Sequence, residues 1–423
     1  MVSQGLEPED EEFISKAQNI SEMGQYITPT IVAERLAADI IELSANDPEV
    51  IYDFGCGPGA LTKQILNRFP ECKAKGYDID EGALAAYEKR FEGRCETEQR
   101  DLLLYPIEGG VDHAISNPPY LLSRRIGRAR TKQIRERGYF KTAVGKLNTF
   151  GLFIEMAVKA LNPGGVAAFI VPHGVANLED HEVLRLLLLN RCDIVQLTWM
   201  SDQSWFESQG VDVDTCLISF RKGDGAATLR VRKWNGREIL AQRNVDASKY
   251  PFFPTLDLIE LDPLVGNEIG DEFNIVAKGF NWSSDWKDYE DDEDWQEMLL
   301  PVARGSTITG EGEFTGELRI NYRLLERNGA ITRKCSFELH ASSRPRLILA
   351  DISQTIKVAF VDEPALPMNS VKVIFHIEDD EDRLRQLMEY LESDDALVRL
   401  KGGSPNIHLT KSNLETIRLP TRR

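Results

Sequence analysis

The chain has 423 residues, too long for one ordinary compact domain, so two or three units are expected. Hydrophobic residues make up 42% and charged residues 28%, a globular composition that excludes a disordered chain. A net charge of −18 argues against a protein that coats nucleic acid without specificity, because phosphate contacts need Lys and Arg; a local basic cleft remains compatible with it.

Met1 to Glu12 is acidic and polar, unlike a secretory signal, and residues 1–19 read as a short leader. In TPTIVAERLAADIIEL (28–43), Thr28 can cap a helix, Pro29 suits its first position, and Val32, Leu36, Ile40 and Leu43 mark one face. Val50 to Phe54 reads as a short buried strand, the following glycines as a tight turn, and Ala60 to Leu66 as the start of a helix. CKAKGYDID predicts a second strand ending in acids, followed by the helix GALAAYEKRF. The strand DHAIS runs into NPPY at 117–120, and 147–161 reads as a helix stopped by NPGG. After it come the strand VAAFIVP, the helix HEVLRLLLLN, the strand DIVQLTWM and a last strand near TCLISFRK. Strands alternating with helices predict a doubly wound α/β sheet over 20–222, with ligands beyond the carboxyl ends of the strands. The texture changes after Lys222, at KGDGAA. Residues 223–423 read as a second, α+β domain with strands RPRLILADI, IKVAFV and SVKVIFHI and a helix near EDRLRQLMEYLES. An acidic run at 285–297 reads as a solvated loop.

The six cysteines and six histidines are scattered, with no CxxC pair, so no zinc site, disulfide framework or other metal is assigned and a reducing cytoplasm is expected. No apolar run approaches the ~20 residues of a membrane helix, so no membrane role is expected.

Gly55-Cys56-Gly57-Pro58-Gly59-Ala60 fits two cofactor turns. With Asp78 downstream it fits the loose GxGxxG/A fingerprint of a nicotinamide site. With Asp53 ahead of the glycines it fits equally the DxGxGxG turn of methyltransferases. Asn117-Pro118-Pro119-Tyr120 separates them. An aromatic amine such as adenine N6 is a poor nucleophile, because its lone pair is delocalised into the ring. The Asn117 oxygen and the Pro118 carbonyl can accept its two N–H groups and favour a tetrahedral nitrogen as positive charge develops. Pro118 and Pro119 stiffen the turn, and Tyr120 offers a ring face.

With these motifs in the order GQYITP (24–29), DFGCGPG, NPPY, the chain resembles the gamma class of N6-adenine DNA methyltransferases. The likeness is close over 20–222. It is looser over 223–423, where RPRLILADIS, PMNSVKVIF and IHLTKSNLETIRLP suggest that class's target-recognition domain. The resemblance implies a Rossmann-like methyltransferase sheet, S-adenosylmethionine as cofactor and transfer of its methyl group to adenine. By the same resemblance Tyr26 and Thr28 would lie against the cofactor's methionine part, with Asn117 beside them. Asp53, Gly55, Gly57 and Gly59 would hold its amino-acid moiety and Asp78 its ribose hydroxyls. Asp101 would accept its adenine amine, and Ile79 and Leu102 would pack that ring. Tyr120 and Phe206 would stack on the target base, although Phe206 fits a core aromatic as well. The chain departs from the family at Ile27, where an aromatic is common, at Asp78, shorter than the frequent Glu, and at Leu102, which replaces a possible aromatic.

The segment after NPPY carries Arg124, Arg125, Arg128, Arg130, Lys132, Arg135, Arg137, Lys141 and Lys146 against the single acid Glu136. Beside the expected site, in an acidic chain, it predicts contacts to the phosphates of double-stranded DNA, through Arg124, Arg125, Arg128, Arg130 and Lys132 first. The target adenine must then leave the duplex. A separate restriction nuclease or defence partner is compatible with this. The alternative is the same NPPY chemistry on a protein glutamine or on adenine in RNA.

Overall fold

In the computed structural model the chain divides into two compact units, Met1–Leu256 and Asp257–Arg423. The structure describes residue 10 and residues 26–121, 123–145, 147–200, 215–225, 227–247, 253–256 and 259. It further describes 267–276, 299–303, 308, 313–315, 319–321, 344–350, 352–353, 355–363, 365–367, 371–401, 407–409, 414–415 and 417–419. Phe206 and the acidic run 285–297 lie outside these residues. Among the described residues no helix is long and apolar enough to cross a membrane.

The first unit is built on a nine-stranded sheet of order β3-β2-β1-β4-β5-β7-β6-β8-β9. Its strands are β1 (Val50–Phe54), β2 (Lys73–Asp78), β3 (Cys95–Gln99), β4 (Val111–Ser116), β5 (Leu161–Pro172), β6 (Cys192–Met200), β7 (Thr215–Lys222), β8 (Thr228–Trp234) and β9 (Ile239–Val245). β1 to β5 run parallel, whereas β7 lies antiparallel between β5 and β6. The helices are α1 (Thr30–Leu43), α2 (Ala60–Arg68), α3 (Glu81–Arg90), α4 (Arg128–Glu136), α5 (Thr149–Ala160) and α6 (Glu182–Arg191). α1, α2 and α3 share one core with Val166, Ala168 and Ile170 of β5. The intervening Ala167, Phe169 and Val171 face the other side by the period of a strand, and β5 also packs against α5. The expected doubly wound α/β sheet is therefore present, and β1, β2 and β4 end on the edge that carries the motifs.

The first unit ends later than residue 222. β8 pairs in parallel with β6 from Ile194↔Thr228 to Met200↔Trp234, and β9 pairs with β8. Gly223 lies in a packed turn: a Cβ there would come within 1.7 Å of Asp193. β8 is further tied to α1 by buried charge. Asp39 of α1 is fully buried and bonded by Arg35 at 2.6 Å, with Arg232 of β8 at 3.5 Å and the Ser219 hydroxyl at 3.2 Å. At the other end of the chain Asp10, within the expected leader, is buried and paired with Arg90 at 2.7 Å.

In the second unit β10 (Phe273–Val276), β11 (Arg346–Ala350), β12 (Val358–Val361) and β13 (Val371–His376) form an antiparallel sheet of order β10-β13-β11-β12. The near-continuous apolar runs of β11 and β13 follow from burial on both faces. Leu347, Leu349 and Ile374 share a core with Leu384, Leu387 and Leu391 of α7 (Glu381–Leu391) and Leu400 of α8 (Asp394–Lys401), whereas Ile348, Ala359, Val361 and Val371 share another with Ile308 and Ala365.

Candidate active site

A cleft of about 280 Å³ opens at the carboxyl ends of β1, β2 and β4. The turn from β1 to α2 forms its floor. Gly55, Gly57 and Gly59 all have positive φ, which an L side chain would resist. At Gly57 a Cβ would meet nothing within 4 Å, so the backbone borders open space; at Gly59 it would come within 2.3 Å of Phe91. One glycine thus gives a ligand close access and the other lets α2 pack against α3. The Gly57 N–H donates to Asp78 Oδ2 at 2.9 Å and the Asp80 N–H to Asp78 Oδ1 at 3.0 Å, which fixes the carboxylate at the end of β2. Burial pushes the Asp78 carboxyl up, and these backbone donors oppose that.

The cleft wall gathers Tyr26, Thr28, Gly55, Gly57, Asp78, Ile79, Asp101, Leu102, Asn117 and Pro119 from five separate stretches of sequence. Asp53 and Gly59 are not on that wall. Asp53 lies beneath the turn, where the Thr62 hydroxyl donates to its Oδ2 at 2.7 Å and its Oδ1 is buried without a hydrogen bond among the described residues. Burial lifts its carboxyl to about 7, with Asp78 adding to the rise.

Asn117 is held from both sides. Its Nδ2 donates to the Tyr26 carbonyl at 2.8 Å and to Thr28 Oγ1 at 3.1 Å. The Tyr26 carbonyl can only accept, so it fixes the amide orientation, with Thr28 Oγ1 accepting the second hydrogen and Oδ1 pointing the other way. There it accepts from the Tyr120 hydroxyl at 2.7 Å, with the Ile170 carbonyl 3.2 Å away as that hydroxyl's second acceptor. Burial keeps the phenol well above its ordinary pKa and protonated. Thr28 was expected as a helix cap. Helix α1 instead begins at Thr30 without a side-chain cap, and the Thr28 hydroxyl serves Asn117. The ring of Tyr120 sits 6.3 Å from that of Tyr26, and Pro118 is buried.

Sequence patterns did not single out Thr149, at the start of α5. Its hydroxyl donates to the Pro119 carbonyl and accepts from Leu121 N–H at 3.0 Å, and its own N–H donates to the Leu121 carbonyl at 3.0 Å. These bonds clamp the NPPY turn. A Thr one residue after the cap Asn148 was the local hint; its partners lie about thirty residues away.

The basic segment divides. Arg125 lines the cleft, and Arg125, Arg128 and Lys132 are exposed, Lys132 with Glu136 at 3.5 Å. Arg135 donates to the carbonyls of Ala143 and Gly145, and Arg137 lies 4.6 Å over the Tyr105 ring. Arg130, expected on DNA, donates instead to Asp101 Oδ2 at 2.7 Å. The side chain of Arg124 is outside the described residues.

This sheet order, with a glycine turn after β1, an acid closing β2 and NPPY after β4, defines an α/β domain of the methyltransferase type. Residues 58–206 match the family model of the Eco57I restriction-modification methylase. The chain is 24% identical over 244 residues to the modification methylase CviBIII of Paramecium bursaria Chlorella virus NC1A, covering 56% of this chain and 59% of that one. It is 29% identical over 195 residues to the type II methyltransferase M.VspI of Vibrio sp. (strain 343), covering 43% and 45%. It is 32% identical over 130 residues to the tRNA1(Val) (adenine(37)-N6)-methyltransferase of Vibrio cholerae serotype O1 (strain M66-2), covering 30% and 51%. The chain spans about half the length of the curated relatives it matches.

Proposed function

We propose that the protein is a site-specific DNA methyltransferase that moves the methyl group of S-adenosylmethionine to N6 of adenine. The orientation of Asn117 carries the reading: both its amide hydrogens are engaged, and its oxygen, which accepts from the Tyr120 hydroxyl on one lone pair, keeps the other for a substrate N–H.

The residues present fit the cofactor. Gly57 leaves open space at the floor of the cleft, and Asp78 offers two fixed oxygens suited to a pair of ribose hydroxyls. Buried Asp53, with Oδ1 unpartnered among the described residues, supports the turn from beneath. Tyr26 and Thr28 would border its methionine end, and Ile79, Asp101 and Leu102 its purine. When bound, the cofactor supplies an electrophilic methyl group. Asn117 Oδ1 and the Pro118 carbonyl accept the two hydrogens of the substrate amine and stabilise the charge that develops on nitrogen. The Tyr120 hydroxyl, held protonated, keeps the plane of the Asn117 amide fixed. The turn needs no strong base, because the methylated amine is acidic enough to release its proton afterwards.

DNA as substrate is favoured by the match to a restriction-modification methylase family and by the exposed Arg125, Arg128 and Lys132 near the cleft. The second unit, Asp257–Arg423, serves target recognition in this reading, the target adenine is flipped out, and a separate nuclease is a compatible partner. The likeness to a tRNA adenine-N6 enzyme supports a second reading, adenine in RNA.

Labelled cofactor offered with mixed-sequence duplex DNA, bulk tRNA and protein tests the choice. Label is expected in DNA; label confined to RNA or protein contradicts the proposal. Asn117→Ala is expected to lower transfer by about 10²–10³-fold. Because Asn117 also tethers Tyr26 and Thr28, some cofactor affinity is lost with it. Equal losses in transfer and in cofactor affinity contradict the catalytic role.

A further inference from the structure

We propose that Arg130 is a positioning residue of the cofactor's purine pocket and not a contact to DNA phosphate; this rests on the cofactor reading above. Arg130 lies in the first turn of α4 and lines the cleft. Its Nη2 donates to Asp101 Oδ2 at 2.7 Å, while the Leu103 N–H donates to Asp101 Oδ1 at 3.1 Å. A carboxylate offers about four acceptor sites, so these two bonds fix its plane and leave one site on each oxygen for an exocyclic amine. The pair therefore orients the acceptor without blocking it. Arg130 Nε is buried and, among the described residues, without a hydrogen bond, and although the side chain as a whole is 37% exposed its Nη2 arm is turned inward to Asp101. Residues two apart on a helix do not share a face. Arg128 and Lys132 consequently project away from Arg130, and both are exposed. α4 thus holds one cation for the cofactor and others for a polyanion.

Calorimetry on the full chain with S-adenosylhomocysteine, without DNA, tests this. Arg130→Ala is expected to bind roughly tenfold more weakly, and Arg130→Lys to recover part of the loss. In an Asp101→Asn background Arg130→Ala should cost nothing further, which a general effect on helix stability would not mimic. The salt dependence of binding to mixed-sequence duplex DNA should be unchanged in Arg130→Ala and shallower by about one in Arg128→Ala. Unchanged or tighter cofactor binding in Arg130→Ala overturns the assignment. So does an equal loss in the Asp101→Asn background, or a DNA salt slope reduced by about one. If the wild-type chain binds no cofactor, the functional reading fails first and this inference with it. A wild type that binds normally beside an unaffected Arg130→Ala defeats this inference alone.

Discussion

Asp53 shows how a motif residue can act without touching the cleft. It lies beneath the glycine turn, with one oxygen bonded to Thr62 and the other unpartnered among the described residues. Its carboxyl is lifted from an ordinary 3.8 to about 7 by burial. A carboxyl raised in the folded state contributes stability that is fully present below its unfolded value and is lost as pH rises through the folded one. Stability tied to Asp53 should therefore fall between about pH 4 and 7. Asp53→Asn is expected to be more stable than wild type at pH 8 by about 1–3 kcal/mol and nearly equal at pH 4. Urea unfolding at the two pH values checks this, and a variant no more stable at pH 8 contradicts it. The motif residues were legible because their chemistry is local: glycines for a turn, an acid at a strand end, Asn beside two prolines. The clamp at Thr149 and the Arg130–Asp101 pair were not, because each depends on partners about thirty residues away.

Glu155 organises the segment that follows α4. It is buried on α5 and accepts from the Lys141 and Thr142 N–H groups, both at 2.8 Å, and from the Thr142 hydroxyl at 2.7 Å; Lys159 lies at 2.8 Å. Burial pushes its carboxyl up, but these donors together hold it below its ordinary value. Glu155→Gln, which turns one acceptor into a donor facing donors, is expected to cost about 1–3 kcal/mol. It should also speed hydrogen exchange at Lys141 and Thr142. Unaltered exchange there would mean that the anchor is not Glu155. Elements with an apolar period were legible from sequence. β3 was not: CETEQ is an edge strand with little buried on either face. β8 was not either, because Arg230, Arg232 and Lys233 gave it the look of surface. Arg232 is in fact buried against Asp39 and Glu42.

At the scale of the molecule, that strand sets where the first unit ends. Trp234 closes the core shared with α1, and Arg232 balances the buried Asp39. Without β8, Asp39 loses one of its two cations, and a buried charge left short of partners is strongly destabilising. A fragment of residues 1–256 is expected to melt cooperatively, and one of residues 1–222 to be digested rapidly by protease. Equal protease resistance of the two would contradict the assignment. Sequence placed this boundary at KGDGAA because glycine and aspartate mark linkers and tight packed turns alike; contact with Asp193 distinguishes them, and that contact is tertiary.

The account rests on Asn117 as an acceptor for an adenine amine in DNA. Duplex DNA incubated with the protein and labelled S-adenosylmethionine, digested to nucleosides and analysed by mass spectrometry, tests this most directly. The expected product is N6-methyladenine, formed by wild type and lost in Asn117→Ala. Methylcytosine as the product, or N6-methyladenine formed undiminished by Asn117→Ala, would contradict it.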